Sequence, residues 1–231
     1  MAPPLRAVLF DVTGTLIEPR EDVGETYSRI AARHGVHASA SRLGSGFRQA
    51  LRDWPEQFFP DLSPDERAET ERNRWHGILR QTFHAAGHFA VGTESGPVFQ
   101  EIFDFYRRKE AWRLLPGARG TLQTARDLRL RIGVVSNFDH RLEALLQDIG
   151  IIEFLDVIAH PFRCGHGKPD PAIFQAALDQ LDILAAHCLF VGHDPSRDLR
   201  AAEALGMPTF DAHLGLRPLA ARIRGLASLD R

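Results

Sequence analysis

Lysine is almost absent from this chain. Of its 28 basic residues only Lys109 and Lys168 are lysines, and the other 26 are arginines. Where arginine serves as the general surface cation, a lysine marks a place that calls for a compact ammonium group. Cysteine is equally scarce. Cys164 and Cys188 are too few to build a disulfide scaffold and point to a reducing compartment, the cytoplasm. Excess charge of either sign is missing: 28 basic residues face 30 acidic ones, for a net charge of -2. That balance excludes nucleic acid as the main partner, because neutralising a phosphate backbone needs a basic excess. It leaves room for one small anion held locally. No apolar run approaches the roughly 18 residues that a membrane span requires. The first residues offer only Arg6 and the short run Ala7 to Phe10, so no signal peptide is expected. Repeats and low-complexity tracts are absent too. What is present is an ordinary globular composition, with enough apolar surface to offset the entropy of ordering the chain.

The hydrophobic rhythm changes twice. Leu5 to Phe10 is a continuous apolar run, suited to a strand buried on both faces, and Asp-Val-Thr-Gly-Thr at 11–15 stops it. From Ile17 to Trp112 strand signals are scarce and helical spacing takes over. Tyr27, Ile30 and Ala31 form one stripe, and Phe47, Ala50 and Leu51 another. Ser63 with Glu66 forms a capping box for a long helix that Gly87 ends, and Val98, Ile102, Phe103 and Tyr106 mark a further helix. Trp54, Trp75 and Trp112, with the phenylalanines of this stretch, are expected to build its own core. After Pro116-Gly117 strands and helices alternate. Helices are predicted over Ala118–Leu130, Arg141–Ile149, Pro171–Leu181 and Leu199–Leu205, and strands over Ile132–Val135, Leu155–Ala159, Leu189–Val191 and Pro208–Phe210. The alternation predicts an α/β fold: a doubly wound, Rossmann-like parallel sheet core over 1–16 and 113–231, with an all-helical insert over 17–112.

In such sheets ligands sit beyond the carboxyl ends of the strands. That rule selects Asp11, Thr13 and Thr15 after the first strand, and Ser136, Asn137 and Asp139 after the second. It adds Lys168, Pro169 and Asp170 after the third, and Gly192, His193, Asp194 and Asp198 after the fourth. Carboxylates, a hydroxyl, an amide and a lysine thus converge. Together they suit a metal-assisted phosphate site. Asp11 can attack phosphorus once charge repulsion is overcome. Mg²⁺ on oxygen ligands overcomes it, with Asp194 or Asp198 supplying the second carboxylate. Lys168 neutralises nucleophile and phosphate together, and Ser136 with the Asn137 amide region donates to the non-bridging oxygens.

At these residues the chain resembles the haloacid dehalogenase-like hydrolase superfamily. The motifs run in order: Phe-Asp-Val-Thr-Gly-Thr-Leu at 10–16, Val-Val-Ser-Asn at 134–137, Lys-Pro-Asp-Pro at 168–171, and Val-Gly-His-Asp at 191–194 with Asp198. The helical insert resembles the cap of subfamily I. The stretch Ser136 to Leu142, with Ala111-Trp112-Arg113 upstream, is similar to the branch of haloacid dehalogenase-like hydrolase domain-containing proteins. The resemblance implies a nucleophilic Asp11 that forms an aspartyl-phosphate and a Mg²⁺ site made by Asp11, the Thr13 carbonyl and the last acidic pair, Asp194 and Asp198. It further implies phosphate binding by Ser136 and charge balance by Lys168. The cap would close over the site and select a small phosphorylated substrate. The protein is expected as a monomer or homodimer, with neither a nucleic acid nor a membrane partner.

Two departures from the family pattern matter. Phosphatases of the superfamily usually carry a second Asp two residues after the nucleophile, where this chain has Thr13. A threonine hydroxyl is a poor general acid or base, and losing such a group typically costs about 10²–10⁴-fold in rate. The family also usually places Asp directly after Gly192, where this chain has His193. Of the histidines near strand ends (His140, His160, His166, His193 and His213), His193 is the best placed to stand in for the missing acid/base, since imidazole titrates in the right range. The plainer reading is a polar loop histidine. Slow phosphate hydrolysis is therefore the first expectation. A catalytically impaired phosphate-binding or regulatory protein, and a metal-independent dehalogenase-type hydrolase, are the alternatives.

Overall fold

The computed structural model describes residues 4–88 and 96–228. The chain divides into two compact units. One comprises residues 1–18, 58–61 and 114–231, the other 19–57 and 62–113.

The first unit is built on a five-stranded sheet. β1 (Ala7–Phe10) leads out of the amino-terminal stretch, and β2 (Ile17–Pro19) carries the chain towards the helical block. That block contributes α1 (Val23–Arg33), α2 (Ala40–Asp53), α3 (Pro64–Ala85) and α4 (Pro97–Phe105). The chain returns through β3 (Trp112–Leu114). It then alternates through α5 (Ala118–Asp127), β4 (Arg131–Val135), α6 (Leu142–Ile149), β5 (Val157–Ala159), α7 (Pro161–Cys164) and α8 (Pro171–Leu181). β6 (Cys188–Gly192), α9 (Ala201–Ala204), β7 (Thr209–Asp211) and α10 (Leu216–Ser228) complete it. The sheet order is β5-β4-β1-β6-β7 with every described pairing parallel. The chain starts in the centre, moves to one edge and then crosses to the other, as a doubly wound sheet requires. Each residue of β1 and β6 is buried. These strands are covered on both faces, which is why they read as continuous apolar runs and not as alternating ones. Leu9, Val135, Phe174, Phe190 and Met207 belong to one such core layer.

The helical unit has a separate core in which Tyr27, Ile30, Leu43, Leu79, Phe83, Phe99 and Phe103 are buried together. Phe83, Phe99 and Phe103 fill it as expected, whereas Phe58 and Phe59 belong to the first unit, Trp112 lies outside this cluster and Phe89 lies outside the described residues. Trp75 packs at its margin, while Trp54 lies over Gly77, where a Cβ would meet the indole at 2.6 Å. The long helix α3 begins at the predicted capping box. Ser63 Oγ accepts from the Glu66 amide, and the Glu66 carboxylate accepts from the Ser63 amide at 2.8 Å.

Several elements differ from their sequence reading, and the stretch expected to be all-helical from residue 17 opens with the strand β2. The helix predicted to run to Leu130 stops at Asp127, because Arg129 takes a left-handed conformation (φ 59°) and the Leu130 amide turns back to the Ala125 carbonyl. The strand predicted from Leu155 begins only at Val157, since Ile152–Phe154 is a 3₁₀ turn. The helix predicted over Leu199–Leu205 is present as α9 (Ala201–Ala204), but it is entered through a π-helical turn, Pro195–Arg200, that the sequence reading did not foresee. This wide turn shapes the end of β6.

Candidate active site

The sheet register brings the motif residues to one edge of the first unit. Phe10, the last residue of β1, pairs with Val134 on one side and Val191 on the other. Asp11 follows directly, and its amide donates to the Val191 carbonyl at 2.8 Å. The loop after it folds tightly back: the amides of Leu16 and Ile17 both donate to the Val12 carbonyl, and the Gly14 amide donates to the Ile17 carbonyl. Thr13 lies in this turn, bridged to Ile17. Thr15 is buried, and its hydroxyl donates to Asp11 Oδ2 at 3.2 Å.

Lys168 is the hub. Its ammonium donates to Asp11 Oδ1 at 2.7 Å and to Asp198 Oδ1 at 2.6 Å, and all three side chains are buried. Asn137 holds the lysine backbone at two points: its Nδ2 donates to the Lys168 carbonyl at 2.9 Å and its Oδ1 accepts from the Lys168 amide at 2.6 Å. The Asn137 amide group is thus engaged in placing Lys168. Ser136 is buried at the carboxyl end of β4, where its amide donates to the Ala159 carbonyl of β5 and its Oγ accepts from the Phe138 amide at 3.2 Å.

Asp198 reaches back to the strand end because the π turn widens the backbone there. The Asp198 and Leu199 amides both donate to the Asp194 carbonyl. Asp198 Oδ2 then accepts from the amides of His193 and Asp194, each at 2.9 Å. Gly192 makes room for this: a Cβ there would lie 2.5 Å from the Asp198 Cβ. Asp194, by contrast, stands apart from the cluster. Its Oδ1 caps the turn by accepting from the Ser196 and Arg197 amides, each at 2.8 Å, and its Oδ2 pairs with Arg197 at 3.1 Å.

His193 joins the cluster from the solvent side. Its Nδ1 lies 3.1 Å from Asp11 Oδ2 and 3.6 Å from Asp198 Oδ2. The charges decide the protonation of the whole group. Burial pushes the Asp11 carboxyl up, but the Lys168 charge and the hydrogen bonds to His193 and Lys168 outweigh it and hold Asp11 at about 2. Burial likewise works against the Lys168 ammonium, and the charges of Asp11 and Asp198 overcome it and raise the pKa. The hydrogen bond to Asp11 lifts the His193 imidazole above its usual value, against partial burial. Asp11 is therefore an ionised, desolvated carboxylate, the state a nucleophile needs. Asp11, His193 and Asp198 each offer one donor atom, all within 4.8 Å of one another, a set that fits a divalent cation.

Thr15 is the cluster member to which sequence reading gave no role, and His193, weighed there as a substitute acid/base or a plain loop histidine, lies against Asp11. Thr15 carries no signal beyond its place in Thr-Gly-Thr, and the signal of His193 is its replacement of an expected carboxylate.

The family model for haloacid dehalogenase-like hydrolases matches residues 5–206, the span that holds this cluster. The chain belongs to that family. It is 34% identical to the bovine (Bos taurus) haloacid dehalogenase-like hydrolase domain-containing protein 3 over 206 residues, which is 89% of this chain and 81% of the relative. Its fold is similar to that of a phosphatase of the same superfamily from Thermococcus onnurineus. The TM-score is 0.59 at 20% identity, covering 89% of this chain and 85% of the other. It is also similar to the L-2-haloacid dehalogenase from Xanthobacter autotrophicus with chloropropionic acid covalently bound (TM-score 0.62, 18% identity, 89% and 76% covered). This haloacid dehalogenase-like hydrolase is therefore an enzyme of a superfamily that includes phosphatases and dehalogenases. Among its described residues no helix is long and apolar enough to cross a membrane.

Proposed function

We propose that the protein hydrolyses a small organic phosphate through a phosphoryl-Asp11 intermediate with the help of a divalent cation. The observation that carries this reading is the buried, ionised Asp11, held 2.7 Å from Lys168, which also binds a second buried carboxylate. One Asp11 oxygen attacks phosphorus, the bond from phosphorus to the ester oxygen breaks, and the departing alkoxide takes a proton from solvent. Water then attacks the same phosphorus, the Asp11–phosphorus bond breaks, and inorganic phosphate leaves. Lys168 holds Asp11 ionised and offsets the anionic substrate, and Ser136 donates to a phosphate oxygen. Asn137 serves by positioning Lys168. The cation that the resemblance brings is Mg²⁺, held by Asp11, Asp198 and the Thr13 carbonyl. Asp198 suits that role better than Asp194, whose carboxylate is engaged as a cap. When bound, the cation lowers the charge repulsion between carboxylate and phosphate. Thr13 provides no titratable group for the leaving oxygen or the water, so turnover is slow. The Thermococcus relative, a phosphatase, agrees with this reading, and two free thiols agree with a cytoplasmic setting.

Intact mass after incubation with acetyl phosphate and Mg²⁺ tests it. The expected result is a phosphate adduct that is lost with EDTA and in Asp11→Asn. The absence of both an adduct and released phosphate would refute it.

One observation favours a second reading, carbon–halogen hydrolysis. The site lacks the second Asp at Thr13 and presents a histidine to Asp11, and neither feature hinders displacement of halide by a carboxylate. A 1-carboxyethyl ester on Asp11 with release of chloride after incubation with 2-chloropropionate, and no phosphate adduct, is its distinguishing outcome.

A further inference from the structure

We infer that His193 is itself a metal ligand and that it turns the site towards a first-row transition dication and away from Mg²⁺. The inference rests on the divalent-cation site just proposed and concerns which ion fills it.

The first support is geometric. Metal–ligand bonds of about 2.0–2.2 Å place adjacent donor atoms roughly 3.0–3.5 Å apart. His193 Nδ1 stands 3.1 Å from Asp11 Oδ2 and 3.6 Å from Asp198 Oδ2, and the three donors lie within 4.8 Å of one another, close enough to converge on one ion. The second is that all three donors are held in place. Lys168 fixes the other oxygen of both carboxylates, and two backbone amides fix Asp198 Oδ2. The His193 ring lies against Gly14, where a Cβ would come within 2.9 Å of it, and edge-on to His213 at 5.9 Å between ring centres. Gly14, at φ 82°, thus serves the turn and the ring together. The third is access. The His193 side chain is 33% exposed while Asp11 and Asp198 are 7% and 2%, so the nitrogen donor faces solvent and the carboxylates form the floor.

The chemistry of the donor set then decides the ion. Mg²⁺ is hard, prefers oxygen and keeps several waters. Imidazole suits Fe²⁺ and Zn²⁺, and the affinity of a nitrogen- and oxygen-lined site rises from Mn²⁺ through Fe²⁺ to Co²⁺. Replacing one carboxylate oxygen by an imidazole nitrogen weakens the hold on Mg²⁺ more than on the transition metals.

The test uses the untagged full chain, stripped with EDTA, with Mn²⁺ as the probe. Binding is followed by calorimetry, and the bound ion by its electron spin-echo spectrum. The expected result is one Mn²⁺ site, lost in Asp11→Asn, whose spectrum carries nitrogen modulation from a directly bound imidazole. His193→Asp should still bind Mn²⁺, lose the nitrogen modulation, and lower the Mn²⁺-over-Mg²⁺ preference by about 10-fold or more. His193→Gln, checked for folding by circular dichroism, makes the same comparison with a neutral oxygen donor. Bound Mn²⁺ without nitrogen modulation, an unchanged metal preference in both variants, or no Mn²⁺ site in the folded wild type would each overturn the inference. The two proposals fail separately. Nitrogen-ligated Mn²⁺ with neither a phosphate adduct nor released phosphate removes the phosphate reading alone. A Mg²⁺-dependent adduct with no nitrogen ligation removes only the role of His193.

Discussion

Lys168 shows how one side chain ties the site to the fold. It is one of two lysines in the chain, and its ammonium is the shared partner of Asp11 and Asp198. Replacing it with Met leaves two carboxylates desolvated side by side. Breaking a buried pair in this way costs about 3–5 kcal/mol. Lys168→Met should therefore lower the urea midpoint as well as abolish the phosphate adduct. Asn137→Ala removes the two bonds that hold the lysine backbone and leaves the buried ion pairs in place, so it should lower turnover with a smaller loss of stability. Equal loss of stability in the two variants would contradict the division of roles. Asp139 and Arg141 form a second buried pair, with Arg141 Nε 2.8 Å from Asp139 Oδ1. Burial pushes the Asp139 carboxyl up, but the Arg141 charge and hydrogen bonds outweigh it and hold it below its usual 3.8. The unfolded chain thus takes up the proton first as pH falls. The stability that this pair contributes is complete above about pH 4 and is lost as pH drops below it. Urea unfolding at pH 6 and pH 3 should show a larger loss for wild type than for Asp139→Asn.

At the scale of the element, two turns do the positioning. The capping box of α3 satisfies donors that the start of a helix otherwise leaves open, and Ser63→Ala should cost about 1 kcal/mol in thermal or urea unfolding. The π turn at Pro195–Arg200 acts differently, bringing Asp198 back over Gly192, where a side chain has no space. Gly192→Ala should push Asp198 away, costing about 1–3 kcal/mol through overpacking and removing metal binding at Asp198. Retained metal affinity in a folded Gly192→Ala protein would contradict that placement. Both turns begin with a residue type that announces a cap, Ser63 and Asp194. Sequence could recognise the first from its Ser-x-x-Glu pattern. It could not tell a π turn from an α-helix after Asp194, because the two differ only in which carbonyl the following amides choose, and the Asp198–Lys168 contact influences that choice from a distant part of the chain.

At the scale of the whole molecule, the described residues include an apolar core layer on the parallel sheet and another among the four helices. Cys188 is buried in the first, at the start of β6, where burial pushes its thiol up to about 12. The thiol is thus protonated and enclosed in the native protein. Cys164 is half-buried and donates to the His160 and His166 carbonyls. Titration with a thiol reagent should find at most one reactive group in the folded chain and two after unfolding. Reaction at Cys188 should follow the unfolding of the sheet core, and its rapid reaction under native conditions would mean that the core opens locally.

Sequence alone determined the class of fold and the edge of the sheet where chemistry lies. Doubly covered strands must be continuous apolar runs, helices must keep their periodicity, and the polar residues that interrupt each run fall at the strand ends. It also singled out Asp11 and Lys168, since a lone carboxylate after a buried strand and a rare lysine are unusual in themselves. The tertiary structure alone decided which acid joins the cluster. Asp194 and Asp198 are both carboxylates in one short loop, and only the backbone path turns the first to the loop amides and the second to Lys168. It likewise set the part of His193. Whether that ring was a loose loop group or a partner of Asp11 depended on the space above Gly14, 179 residues earlier in the chain, and packing across that distance is not written in local pattern.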